Sequence, residues 1–222
     1  STDPSERRHI MGTMLGLLTF EEEIPRMMKA AVYGLLPILT VGMSQSAIRG
    51  ELFDFKGQVR FYMSYHMDPI NILIHIPFVP TIMWSAFGML ATTAPLVKGA
   101  PKWCDMSLPI AVIYAAYYAV MGKKLSPAFA ITAVSLVLAM FASVHIFHLP
   151  ANVYGIIHIA SWIMQFYGHA IHERRAPALL NNISQAFLMA PLFVLFEVAH
   201  GFGFFRKQMK EIKEGLKPVK LS

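Results

Sequence analysis

Two stretches of this sequence concentrate side chains that hold metals and move protons. The first runs Tyr62-x-x-Tyr65-His66-x-x-Pro69-x-Asn71-x-x-x-His75. Proline removes a helical hydrogen bond and crowds the preceding turn, so Pro69 breaks any helix that runs into it. His66 is then expected in a pre-helix segment, with His75 one turn inside the next helix. A broken entry lets these two imidazoles converge, whereas one continuous helix would set them on opposite faces. Asn71 is a candidate cap for that helix or a hydrogen-bonding partner for a ligand. The second stretch runs Trp162-x-x-Gln165-x-x-Gly168-His169-x-x-His172-Glu173-Arg174-Arg175-Ala176-Pro177. Helical periodicity puts Trp162, Gln165, His169 and Glu173 on one stripe, with His158 a turn below. His169 with Glu173 and His169 with His172 have spacings that share a metal or support a metal-bound imidazole. Gly168 allows a close approach by another helix, and Arg174 and Arg175 suit a carboxylate or a lipid phosphate.

The elements that must position these residues are strongly apolar. The chain has 222 residues, 55% hydrophobic and 14% charged, with a formal net charge of +6, and a mean hydropathy of +0.49. Soluble domains carry about 25% charge. One cysteine, Cys104, excludes an internal disulfide and a Cys-rich zinc module. Apolar windows fall at Met27–Ile48, Ile72–Thr92, Leu108–Met121, Ala128–His148, Val153–Ile171 and Ile183–Phe205. A spanning helix needs roughly 20 such residues. The expected fold is therefore all-α, a polytopic membrane bundle of five or six transmembrane helices. Clean period-two alternation is missing, which argues against a membrane β-barrel. The expected organisation is an N-terminal arm with an extra apolar helix (1–53), a membrane domain (54–205) and a basic C-terminal tail (206–222). Lys and Arg are scattered among apolar runs, and their densest group is that tail. This favours contact with membrane lipid over nucleic acid.

Counting six crossings puts residues 49–70 and Glu173-Arg174-Arg175 on one membrane face, with the C-terminal tail on the other. The two histidine groups then lie at one depth, as a candidate all-nitrogen site. Imidazole suits zinc, copper, iron and nickel, and spacing alone does not choose among them. His145 with His148, and Glu197 with His200, are weaker groups, expected to be interfacial or mutually paired.

Both stretches resemble the family of iron-dependent 2-hydroxy fatty acid dioxygenases, small multi-pass membrane proteins. The likeness runs through Phe61–His75, Trp162–His169, Glu173–Leu180 and Gln185–Pro191 to Glu197, and covers roughly residues 54–200. It implies Fe(II) held by His66, His75 and His169, with O2 as co-substrate, and removal of C1 from a 2-hydroxy fatty acid in sphingoid-base breakdown. It implies an endoplasmic reticulum membrane, with another organelle such as the mitochondrial inner membrane as the alternative. His172 stands where the family usually has an apolar residue, so it is an extra ligand at most. Asn181 stands where the family usually has Asp. Glu173, Gln165 and Asn71 are then candidate catalytic or imidazole-orienting groups, and Arg174, Arg175 and Tyr62 candidate substrate contacts. Met27–Ile48 falls outside the family pattern and suits docking to other membrane subunits. A non-catalytic subunit that keeps the fold, and a zinc lipid hydrolase, are the competing readings.

Overall fold

The computed structural model describes residues 50–176 and 183–216. The window Met27–Ile48, the first arm, Asn181 and the last six residues lie outside it. Seven α-helices follow in order: α1 (Phe55–Met63), α2 (Pro69–Ala91), α3 (Ser107–Gly122), α4 (Pro127–Phe147), α5 (Ala151–Tyr167), α6 (Ile183–Gly201) and α7 (Arg206–Glu214). A π-helical segment, Gly168–Glu173, continues α5. The described residues contain no strand.

Local chemistry sets the boundaries. Pro69 occupies the first turn of α2, and the Asp68 side chain accepts from the backbone N–H groups of Ile70 and Asn71. The cap is thus Asp68, not Asn71 as the sequence suggested: an Asp directly before a helix-starting Pro already has the better geometry. Ser126 and Pro127 start α4 in the same way. Helices cross where side chains are small. A Cβ on Gly88 would strike the Tyr154 ring, and one on Gly122 would strike the backbone of Ala130. Without a hydrophobic drive between helices in lipid, such close approach supplies the packing attraction. The buried core gathers Val59 of α1, Tyr118 and Met121 of α3, and Met189, Leu192 and Phe196 of α6.

Among the described residues two helices, α2 and α4, are long and apolar enough to cross a membrane. The bent pair α6–α7 makes a third if it is one broken span. At a rise of 1.5 Å per residue, α2 is about 35 Å long and α3 about 24 Å, against roughly 30 Å of hydrocarbon.

The last window corrects the crossing count. Phe187 packs against Trp162, and its carbonyl accepts from the Tyr114 hydroxyl, halfway along α5 and α3. At the other end of α6, Phe205 packs on Phe129 at the start of α4. The described part of α6 therefore runs from mid-bundle to one end and does not traverse the whole depth. The chain then bends by 117° through Gly203 and Phe205, both at positive φ (90° and 55°). Lys56 meets Glu211 at 2.6 Å, and the Arg60 guanidinium donates to the carbonyls of Ile212 and Glu211. So α7 lies against α1, at the end that carries His66. Parity had put the tail on the opposite face because it treated every apolar run as a complete crossing.

Candidate metal centre

His66, His75 and His169 come together at this end. Their ring centroids lie 4.4, 4.8 and 5.0 Å apart, with interplanar angles of 78°, 71° and 88°. One nitrogen of each ring lies within 4.8 Å of the others, and all three residues are buried.

Three elements deliver the rings. His66 sits in the turn between α1 and α2. His75 is on α2, on the helical face that packs against α5. His169 lies in the π-helical segment, where wider winding re-aims a side chain relative to a regular helix.

Two of the rings have a hydrogen bond that fixes their tautomer. His66 Nδ1 is 2.8 Å from the Tyr62 carbonyl, and His75 Nδ1 is 2.8 Å from the Asn71 carbonyl. A carbonyl only accepts, so each Nδ1 carries the proton and Nε2 keeps its lone pair. Burial, reinforced by the His75 ring, holds His66 well below the ordinary imidazole range, so it stays neutral. His66 Nε2 and His169 Nδ1 are buried with no hydrogen-bond partner among the described residues. Orphaned buried acceptors are costly, and a cation bound between them removes that cost. Three neutral nitrogens fit a borderline transition metal such as zinc, copper, iron or nickel.

The remaining candidates take supporting places around the trio. Glu173 Oε1 accepts from the backbone N–H of Met67 (2.6 Å) and Asp68 (2.8 Å) and from Asn71 Nδ2 (3.1 Å). One carboxylate oxygen thereby joins the segment bearing His169 to the turn after His66 and the first turn of α2. Asn71 is fully buried, and its Oδ1 occupies the space that a Cβ on Gly168 would need. Glycine at 168 is what allows α2 and α5 to meet there. Gln165 is buried on the α5 stripe. Tyr62 stacks flat on His66, with centroids 4.0 Å apart and planes within 7°, and Phe193 packs beside both rings, 4.1 Å from Tyr62 and 6.0 Å from His66. Arg175 lies 3.9 Å over the Tyr65 ring and donates to the Ser64 carbonyl. Arg174 is exposed. His172 stays out of the trio: it faces Asp68 at 3.9 Å and packs on Tyr167.

Sequence reasoning missed Asp68 as the α2 cap, the π-helical winding and the stacking role of Tyr62. Only the cap had a signal, the Asp-Pro pair at a helix start. His158 is placed mid-bundle with both nitrogens engaged. Nδ1 is 2.9 Å from Ser85 Oγ, and Nε2 accepts from Trp162 Nε1 at 2.9 Å.

Among the described residues, an apolar all-helical bundle with three buried imidazoles grouped at one end defines a histidine-site protein whose long helices are compatible with membrane association. Comparison with known proteins is more specific. Residues 52–202 match the family described as 2-hydroxy-palmitic acid dioxygenase Mpo1-like, and the chain belongs to that family. The 2-hydroxy-palmitic acid dioxygenase MPO1 of Saccharomyces cerevisiae (strain ATCC 204508 / S288c) is 32% identical over 154 residues. That alignment covers 69% of this chain and 84% of the yeast protein. No solved structure matches the chain.

Proposed function

We propose that this protein is an Fe(II)-dependent dioxygenase that removes C1 of a 2-hydroxy fatty acid. The observation that carries the reading is the convergence of His66, His75 and His169, with His66 Nε2 and His169 Nδ1 buried and unpartnered among the described residues. The family and the name of the yeast relative support the same reaction class. In the balanced reaction one O2 is consumed and the C1–C2 bond breaks. The products are an acid one carbon shorter, carbon dioxide and water.

Bound iron would orient the carboxylate and hydroxyl oxygens of the acid and supply electrons to oxygen. The protein's own contribution is arrangement. The Tyr62 and Asn71 carbonyls fix two imidazole tautomers, and Glu173 locks the three ligand-bearing segments together. Tyr62 and Phe193 form an apolar wall that keeps water from His66. Arg174, exposed beside the π-helical segment, is available to draw in the carboxylate. The acyl chain lies between helices, presented by the membrane. On this reading α2 to α5 supply four crossings and Met27–Ile48 a fifth, in the endoplasmic reticulum membrane, and the shortened acid belongs to sphingoid-base breakdown. Docking to other membrane subunits falls to Met27–Ile48.

The test is metal content after anaerobic purification in detergent, followed by turnover of 2-hydroxypalmitate. About one iron per chain, lost in His169→Ala, with an O2-dependent C15 product, supports the enzyme. No metal after reconstitution with iron overturns it in favour of a non-catalytic subunit.

A further inference from the structure

The charges of the described residues are divided very unevenly between the two ends of the bundle. Ten of the twelve lysines and arginines in residues 50–176 and 183–216 belong to α1, the α3–α4 loop, the segment after His169, and α7, against seven of the eight aspartates and glutamates, so this end carries a net +3. Only Lys98 and Lys102 lie in the loop at the opposite end. The α3–α4 loop joins the histidine end through a cleft that Lys124 and Leu125 share with Lys56 and Gln208.

Around α7 the surface is sorted by chemistry. Met209 and Ile212 face inward, 2% and 0% exposed, while Arg206, Lys207, Lys210 and Lys213 are exposed. Two of the local lysines are already paired, Lys56 with Glu211 and Lys210 with Glu214. Exposed Arg206, Lys207 and Lys213 are in no close ion pair among the described residues, although Lys207 lies within electrostatic reach of Glu211 and Lys213 of Glu197; exposed Lys123 and Lys124 stand on the neighbouring loop. The elbow before α7 does the opposite of folding its aromatics away. Phe205 packs inward on Phe129 and Phe196, but Phe202 and Phe204 stand 81% and 62% exposed. A helix turned across a bundle end, basic on its outer face and flanked by protruding aromatics, combines the two contacts that an anionic bilayer surface offers.

We propose that α7, the Phe202–Phe204 elbow and Lys123-Lys124 form one surface that seats the histidine end of the bundle on the anionic headgroups of a single leaflet. The helix lies in the interface plane, the lysines meet lipid phosphates, and Phe202 and Phe204 enter the acyl boundary. This inference stands whatever reaction the histidines perform. It adds that any lipid reaching them comes from the anionic leaflet.

The test uses the full chain reconstituted in phosphatidylcholine bilayers with spin-labelled phosphatidylserine or phosphatidylcholine as probe. Wild type is expected to immobilise phosphatidylserine preferentially. Each of Lys123→Gln, Lys207→Gln and Lys213→Gln should lower that preference about fivefold, until it is gone, because each basic group near the surface contributes about 1 kcal/mol. Lys98→Gln with Lys102→Gln should leave it unchanged. Equal immobilisation of the two lipids by wild type overturns the proposal, as does an equal loss in the Lys98/Lys102 variant. So does a preference abolished by millimolar inorganic phosphate, which would mark a site for free phosphate. A second measurement, on Phe204→Trp, checks the elbow. Quenching by lipids brominated near the headgroup supports insertion, and quenching by aqueous iodide alone overturns it.

Discussion

The two ends of the bundle each hold a histidine among buried polar groups, and they differ in what the ring nitrogens already do. At the far end, His145 Nε2 lies 3.7 Å from the fully buried Asp105 carboxylate and 3.3 Å from Ser107 Oγ. Ser107 donates to the same carboxylate through both its N–H and its hydroxyl. That cluster joins the start of α3 to the end of α4 and sets one imidazole beside one carboxylate, whose Oδ2 has no hydrogen-bond partner among the described residues. At the near end, His66 and His75 turn their protons away onto main-chain carbonyls, and His66 Nε2 is left buried with no donor to it among the described residues. Residue type is shared by both places, but among the described residues only the near end brings three potential ligand atoms within 4.8 Å of one another. His158, with partners on both nitrogens, belongs with the first kind.

Metal binding should separate these classes most sharply. His75→Ala is expected to reduce bound iron to background, while His145→Ala retains about one equivalent, as measured by elemental analysis of purified protein. Equal loss in both would break the comparison. A smaller effect comes from the clamp. Glu173→Gln, which keeps the oxygen but loses the charge, should weaken metal affinity about 10- to 100-fold, read by competition with a chelating dye. His172→Ala should change that affinity little. Gly168→Ala follows: its new methyl meets Asn71 Oδ1, and forcing α2 from α5 should cost about 1–3 kcal/mol, seen as a lower Tm with weaker metal binding. The reverse signature belongs to the far end. Asp105→Ala leaves the Ser107 N–H and hydroxyl without their acceptor, which costs about 1–3 kcal/mol of stability and leaves metal binding intact. The smallest change concerns the tie between α7 and α1. Lys56 holds the exposed Glu211 carboxyl below its ordinary range, so that tie is present above the unfolded carboxylate value near 4.3. It is lost as pH falls through the lower folded value, and faster hydrogen exchange in α7 on acidification would report it.

Much of this was legible in the residues, for reasons that differ by element. Pro69 fixes a helix start through covalent geometry, so a break between His66 and His75 can be read directly. Gly168 on a helical stripe marks a close approach, and Asn71 is what approaches it. Other features depend on partners distant in sequence. Glu173 spaces correctly with His169 on a regular helix, yet its contacts are the backbone of Met67 and Asp68, over a hundred residues earlier. The π-helical winding has no periodic signature of its own. The tail was misplaced because hydropathy measures how apolar a run is, and does not report that α6 begins halfway down the bundle.

The hydrogen bonds of His66 and His75 have a consequence for how this site drifts under mutation. The acceptors are carbonyls of residues 62 and 71, and every amino acid brings the same carbonyl. Substitutions at those positions would alter stacking or the Glu173 clamp, but not which nitrogen of the following histidine bears the proton. The tautomer is inherited with the helical backbone, so lineages can vary the surroundings of the pocket while its donor chemistry stays fixed.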